Sequence, residues 1–232
     1  MSDTVLVLPT VALRGVTILP GMVIHFEVSR EKSIRAIEQA MVKDDRVFLV
    51  TQREISVMEP TLDDLYTIGT ISVIKQVVRL PKGSLRILAE GQERAELLDF
   101  EEAEEMLQSK IEVLDTGELQ PIDDVRSEAM LRNLKGLFSA YAGNGQNITR
   151  DLFLEILDID SLDKLVDQIC INIPVPWEKQ QRLLGAADLQ DRYEILCDLL
   201  ANEAEIERIR AELKARVKAR IDKNQKEYIL RE

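Results

Sequence analysis

Aromatic residues make up only 4% of this 232-residue chain, so aliphatic side chains must fill whatever core it builds. There is one histidine, His25, and no serine or cysteine stands in a recognisable nucleophile motif. A hydrolytic triad is therefore not expected. None of the ten glycines is followed by lysine, which excludes the GxxxxGK[ST] loop that cradles nucleotide phosphates. Neither GxGxxG nor CxxC occurs. The chain is accordingly expected to be no enzyme by itself, with no catalytic, cofactor-binding or metal-binding residues. No apolar run approaches the roughly 18 residues of a membrane span. The opening Met1-Ser2-Asp3 is acidic and the apolar run after it breaks at Pro9, so no secretion signal is read. The two cysteines, Cys170 and Cys197, lie in helical patterns and read as reduced thiols. The chain reads as cytoplasmic, which leaves the glycosylation triplet at Asn147 without meaning.

Charge is plentiful, and it is segregated. The net charge is -12, yet residues 208–226 carry +6, which leaves -18 for the rest. Acidity on this scale argues against a chain built mainly to hold nucleic acid or to lie on an anionic membrane. Adjacent acids such as Asp63-Asp64 and Glu101-Glu102 read as solvated surface rather than acid/base pairs.

The fold class expected is α+β, in three parts. Residues 1–118 read as a β-rich domain, a small antiparallel barrel or pair of sheets. Its strand signals are Val5–Leu8, the alternating Met22, Ile24, Phe26 and Val28, and the continuous apolar run Val47–Val50. Further strands are expected at Thr67–Leu80, from Leu85 to Ala89, at Arg94–Phe100 and at Leu107–Leu114, with a bulge or bend at Gly69. Pro81-Lys82-Gly83 reads as a hairpin turn. One helix, Arg30–Lys43, is expected with Ser29 as its cap. After a linker at Gly117–Pro121, residues 122–187 read as a bundle of short helices, the first with an apolar face from Val125 through Ala129, Leu134, Leu137 and Phe138 to Tyr141. That helix is expected to end at Gly143-Asn144-Gly145.

Residues 188–232 contain neither glycine nor proline and read as one long helix capped by Asp188. Its apolar residues form a thin stripe: Ile206, Ile209, Leu213, Val217, Ile221 and Tyr228. A stripe this narrow suits one partner helix in a coiled-coil contact, so it is the expected oligomer interface. The basic half of the helix reads first as a solvated coiled-coil surface, with nucleic-acid contact as the weaker alternative.

Six separated stretches go beyond class-level reading. They are Leu8–Arg14 with Leu19–Ile24, Ser29–Ala36, Asp64–Thr70, Leu80–Gly83, Glu90–Arg94 and Lys223–Glu232. In this order and spacing they resemble the N-terminal region of the Lon family of ATP-dependent serine proteases. The resemblance covers nearly the whole chain, and the stretch between Glu101 and Gly185 matches by pattern more than by letters. One departure is His25, where the family often carries proline. The resemblance implies a PUA-like β-domain followed by a helical bundle and a long helix leading toward an ATPase module. It also implies a longer parent, a homohexamer that uses ATP and Mg and cleaves with a Ser–Lys dyad, of which this chain is a fragment. Its role would be substrate recognition and oligomerisation, the parent degrading misfolded and selected regulatory proteins; a passive scaffold that sets subunit spacing is the alternative. Unfolded or damaged proteins expose apolar segments, so their receptor should present apolar loops or an open sheet edge. Pro20, Met22, Leu62, Leu65, Tyr66, Leu80 and Pro81 are the candidates for that surface.

Overall fold

The computed structural model describes residues 5–103, 105–114, 122–143 and 148–229, with side chains as far as residue 221. The expected linker at Gly117–Pro121, Asn144-Gly145, Asn147, and the side chains of Lys223–Glu232, Tyr228 among them, lie outside the described residues.

Six strands and a helix build the first part of the chain: β1 (Val5–Leu13), β2 (Val23–Val28), α1 (Glu31–Lys43), β3 (Arg46–Thr51), β4 (Ile68–Arg79), β5 (Leu85–Ala103) and β6 (Met106–Val113). β1 pairs in parallel with β3 and antiparallel with β6. β3–β4, β4–β5 and β5–β6 are antiparallel, so five strands close into a ring and β2 adds to the first half of β5. Closure leaves the outer side of β2, which pairs with β5 alone, as the free edge of the sheet among the described strands.

β5 makes closure possible and corrects one expectation. The separate strands read at Leu85–Ala89 and Arg94–Phe100 are one strand of 19 residues. One edge of β5 carries β4. Its other edge passes from β2, against residues 85–90, to β6, against residues 95–103. Irregularities opposite Ile71/Ser72 and Ile74/Gln76, and at Leu97/Asp99, let so long a strand curve. None of them falls at Gly69, where a bulge was expected. Gly69 stays in register with Ala95. A side chain there would lie 2.5 Å from the Phe48 ring and 2.7 Å from the Leu49 carbonyl, so close approach is what requires glycine.

β3 is buried on both faces, as its unbroken apolar run implies. Val47 and Leu49 join a cluster with Ala36, Ile37 and Ala40 of α1, while Phe48 and Val50 join one with Leu8, Leu65, Ile71, Leu97 and Ile111. Burying Ile37 alone contributes about 2 kcal/mol. α1 begins one residue later than expected. Its cap position is Arg30, which makes no side-chain capping bond, and Ser29 is exposed beside it.

The helices that follow are α2 (Asp124–Gly143), α3 (Arg150–Leu157), α4 (Leu162–Asn172), α5 (Trp177–Gly185) and α6 (Leu189–Ile229). The chain forms two compact units, one of residues 1–121 and 167–192, the other of 122–166 and 193–232. In the first unit, Gln181 of α5 donates to the Ile68 carbonyl at 2.9 Å. The Gln181 carbonyl oxygen lies 3.2 Å from the Thr17 hydroxyl, which is also 3.1 Å from that of Thr51. These buried polar groups satisfy one another and hold α5 to the strands. The buried Arg94 donates to the Leu184 carbonyl, and Arg192 to those of Ala186 and Ala187. Burial, and then Arg192 nearby, pull the Arg94 guanidinium down to about 10.

The second unit is built on one face of α2: Met130, Leu134, Phe138 and Tyr141. Val125 and Ala129, expected on that face, are exposed, because the buried stripe starts one turn later. Phe138 stacks on Phe153 at 5.7 Å, and Asn133 donates to the Tyr193 hydroxyl at 2.8 Å. α6 runs for 41 residues, about 60 Å at 1.5 Å each. Asp188 caps it as expected, accepting from the backbone of Gln190 at 2.7 Å.

Candidate functional site

The β1–β2 loop turns tightly at Leu19–Met22. Pro20 sits second and Gly21, with φ +80°, third, the residue pattern of a type II turn, and Met22 donates to the Leu19 carbonyl at 3.0 Å. β5 holds the turn through Gly91: Gly21 donates to the Gly91 carbonyl at 2.8 Å, and Gly91 donates back to Met22 at 2.9 Å. Pro20 is half-buried, and Met22 packs against the cluster under α1.

The β3–β4 loop, residues 52–67, presents more apolar surface. Ile55, Met58 and Leu62 are 51%, 66% and 41% exposed. Polar bonds hold the loop while those side chains stay outside. Gln52 donates to the Val57 carbonyl, Arg53 to the Leu65 carbonyl, and Arg14 and Arg30 both donate to the Met58 carbonyl. Thr61 and Asp64 form a reciprocal capping box around Leu62–Asp64, which draws the Asp64 carboxyl below its ordinary 3.8, chiefly through the Thr61 backbone N–H. Beside the loop lies a cavity of about 300 Å³ lined by Arg30, Lys32, Ser33, Met58, Pro60 and Leu107.

The expected apolar residues are therefore not one patch. Leu62 is exposed, but Leu65 is only 2% exposed and belongs to the core with Phe48 and Ile71, which removes it from any accessible surface. Tyr66 is half-buried, edge-on to Trp177 at 6.3 Å with the Arg53 guanidinium 4.8 Å from its ring centre. Leu80 is half-buried and Pro81 exposed at the β4–β5 turn. The 12 residues of β4, about 40 Å along the strand, separate that turn from Tyr66. Ile55 and Met58 escaped the sequence reading because a loop has no period to single out exposed apolar side chains.

The stripe on α6 is exposed: Ile206, Ile209, Leu213, Val217 and Ile221 each keep between 40% and 59% of their surface in solvent. Arg208 pairs with Glu205 and Glu212, and Arg210 with Glu207. Two of the bases read as a nucleic-acid alternative are thus neutralised within the helix. No group of three or more His, Cys, Asp or Glu among the described residues could hold a metal ion. No helix among them is long and apolar enough to cross a membrane.

Most of this fold is matched in solved structures. The N-terminal domain of the Mycobacterium avium complex Lon protease matches with a TM-score of 0.65 at 20% identity, covering 84% of this chain and 98% of that one. A Lon N-terminal domain protein from Xanthomonas campestris matches at 0.55 and 16% identity over 84% of this chain and 98% of its own. These likenesses define the fold as that of Lon N-terminal domains. Residues 7–202 also match the family described as the ATP-dependent protease La (LON) substrate-binding domain, and the chain belongs to that family. It is 41% identical over 232 residues to the Lon protease of Lachnoclostridium phytofermentans, spanning all of this chain and 29% of that protein. It is 35% identical over 225 residues to Lon protease 1 of Bacillus subtilis, spanning 97% of this chain and 29% of that protein. The chain thus corresponds to less than a third of the length of these relatives.

Proposed function

We propose that this chain captures unfolded or damaged polypeptides for an ATP-dependent Lon-type protease, by taking their exposed apolar segments onto the β3–β4 loop and its neighbours. The observation that carries the reading is the loop itself, where Ile55, Met58 and Leu62 stand in solvent while backbone and arginine bonds fix their positions. A preset apolar surface loses little conformational freedom on binding, and a shallow one yields limited affinity, at micromolar level or weaker. Pro20, Met22, Tyr66, Leu80 and Pro81 are secondary contacts for a long unfolded segment.

The exposed stripe of α6 pairs with the same stripe of another copy, and the parent is a cytoplasmic homohexamer. ATP, Mg and the Ser–Lys dyad belong to the rest of that parent. This chain hydrolyses neither ATP nor peptide bonds. The test is calorimetric titration with a reduced, carboxamidomethylated protein that cannot refold. Replacing Ile55, Met58 and Leu62 together by serine should weaken binding at least tenfold and leave the fold intact, because all three side chains are exposed. Unchanged binding by the well-folded triple variant would refute the proposed surface. No binding by the unaltered chain would favour a passive scaffold.

A further inference from the structure

Next to the proposed apolar surface, beside the start of α1, Arg14 and Arg30 carry positive charge that is not taken up by ion pairs among the described residues, whereas Lys32 in the first turn pairs with Glu59 and Glu102. Arg14 and Arg30 lie close enough that Arg14, together with burial as the larger cause, lowers the Arg30 guanidinium below its ordinary value. Their hydrogen bonds go to neutral groups: Arg30 donates to the carbonyls of Ala12 and Met58, and Arg14 to the Met58 carbonyl and sulfur. Neither forms an ion pair with a carboxylate among the described residues. The Arg14 Nε is buried without a partner.

The helix start adds to this. α1 is a 13-residue helix with no side-chain cap, and Ile34 makes its first backbone bond, to Arg30 at 3.0 Å. The N–H groups ahead of Ile34 have no intrahelical acceptor, and the positive end of the helix dipole lies among them. Ser33, in that turn, is 1% exposed, and its hydroxyl has no hydrogen-bond partner. It lines two cavities, one of about 240 Å³ shared with Arg14 and His25, the other the apolar cavity of about 300 Å³ beside Met58. Arg30 lines both as well.

We infer that this pocket binds a peptide carboxylate, its oxygens taken by the Arg14 guanidinium, the Ser33 hydroxyl and the first N–H groups of α1, while an apolar neighbouring side chain of the same peptide fills the cavity beside Met58 and Leu107. The inference rests on the proposed capture of polypeptides and names the chemical feature selected. A monoanion suits the pocket better than a phosphate, because Glu27, Glu31 and Glu59 line the same two cavities and repel a dianion more strongly. The carboxylate can be a free chain end or an acidic side chain beside an apolar residue.

Calorimetry with N-acetylated peptides ending in two leucines tests this on the full chain. Three forms are compared: a free C-terminus without acidic residues, an amidated end with one glutamate before the leucines, and an amidated end with no acid. At least one of the first two should bind about tenfold more tightly than the third, a difference of about 1.4 kcal/mol, and which one does so identifies the source of the carboxylate. Ser33→Ala should weaken that peptide at least fivefold without lowering the melting temperature, since the hydroxyl it removes has no partner in the fold. Arg14→Gln should weaken it likewise, and Ser33→Ala should leave binding of the uncharged peptide unaltered. Equal binding of all three peptides overturns the inference, as does full affinity in both variants, or displacement by inorganic phosphate at lower concentration than by acetate. If the uncharged peptide and the unfolded protein bind while the acids gain nothing, only the carboxylate pocket fails. If nothing binds, the capture of polypeptides fails with it.

Discussion

Replacing Gly91 by alanine should release the Leu19–Met22 turn from β5. The added carbon would lie 2.3 Å from the Leu19 carbonyl oxygen and 3.1 Å from its carbon. A relaxed carbon–oxygen contact is about 3.3 Å, so the two backbones must part by roughly 1 Å. Both obstructing atoms are main chain, which no rotamer change can move aside. The separation breaks the Gly21-to-Gly91 and Gly91-to-Met22 bonds, now 2.8 and 2.9 Å. Each contributes about 1 kcal/mol, and steric strain in a packed site adds about 1–3 kcal/mol. Alanine recovers about 0.4–1 kcal/mol by restricting the unfolded chain. The net loss is about 3 kcal/mol. With a urea dependence of about 2 kcal/mol per molar, the unfolding midpoint should fall by about 1.5 M. Trp177, the only tryptophan, lies in the same compact unit as Gly91, and its fluorescence reports that transition. Gly83→Ala is the control: Gly83 has φ +86° and nothing within 4 Å, so only backbone strain of about 1 kcal/mol is expected. A Gly91→Ala midpoint within 0.3 M (roughly 0.6 kcal/mol) of the unaltered chain would refute the close-approach argument.

Thiol labelling at pH 8 should modify the half-buried Cys197 well before Cys170, whose thiol burial pushes up to about 12 from 9.0. The Cys170 proton is held more tightly in the folded state, so its contribution to stability is complete below pH 9 and is lost as pH rises toward 12; equal labelling of both thiols in the folded chain would contradict the burial. The Asp64 capping box works in the opposite sense. Its carboxyl is held below 3.8, so the stabilisation is present above about that pH and is lost as pH falls through the lower folded value. Protection of the Thr61 and Asp64 amides from exchange should therefore be lost as pH falls below 3.8, and Asp64→Asn, which removes the titrating carboxyl, should remove that pH dependence. Replacing Leu213 and Val217 together by aspartate should abolish concentration-dependent self-association in sedimentation while Trp177 fluorescence stays unchanged, and a chain that is monomeric even without the substitutions up to roughly millimolar concentration would refute pairing through α6.

Features that depend on neighbours along the chain were legible before the fold was known. The alternation in β2, the continuous apolar run in β3, the Asp188 cap and the exposed stripe on α6 all follow from spacing within one element. They stand in the structure because helix and strand geometry impose those periods whatever lies around them. Proximity between distant segments had no such signature. Nothing local says that β5 continues through Gly91 and changes partner from β2 to β6, because the pairing that decides it comes from strands far apart in the chain. Gly69 read as a bulge or bend and Gly91 drew no structural reading, and only the approach of Phe48 and Leu49 to one, and of Leu19 to the other, accounts for them. Leu65 and Leu62, three residues apart in one loop, carry the same side chain. One lies in the core and the other in solvent because Leu65 bridges Gln52 at the end of β3 while Leu62 opens an exposed turn capped by Thr61. The charge left over at α1 was equally invisible, since it arises where Arg14 and Arg30, sixteen residues apart in sequence, converge on one carbonyl of a third segment.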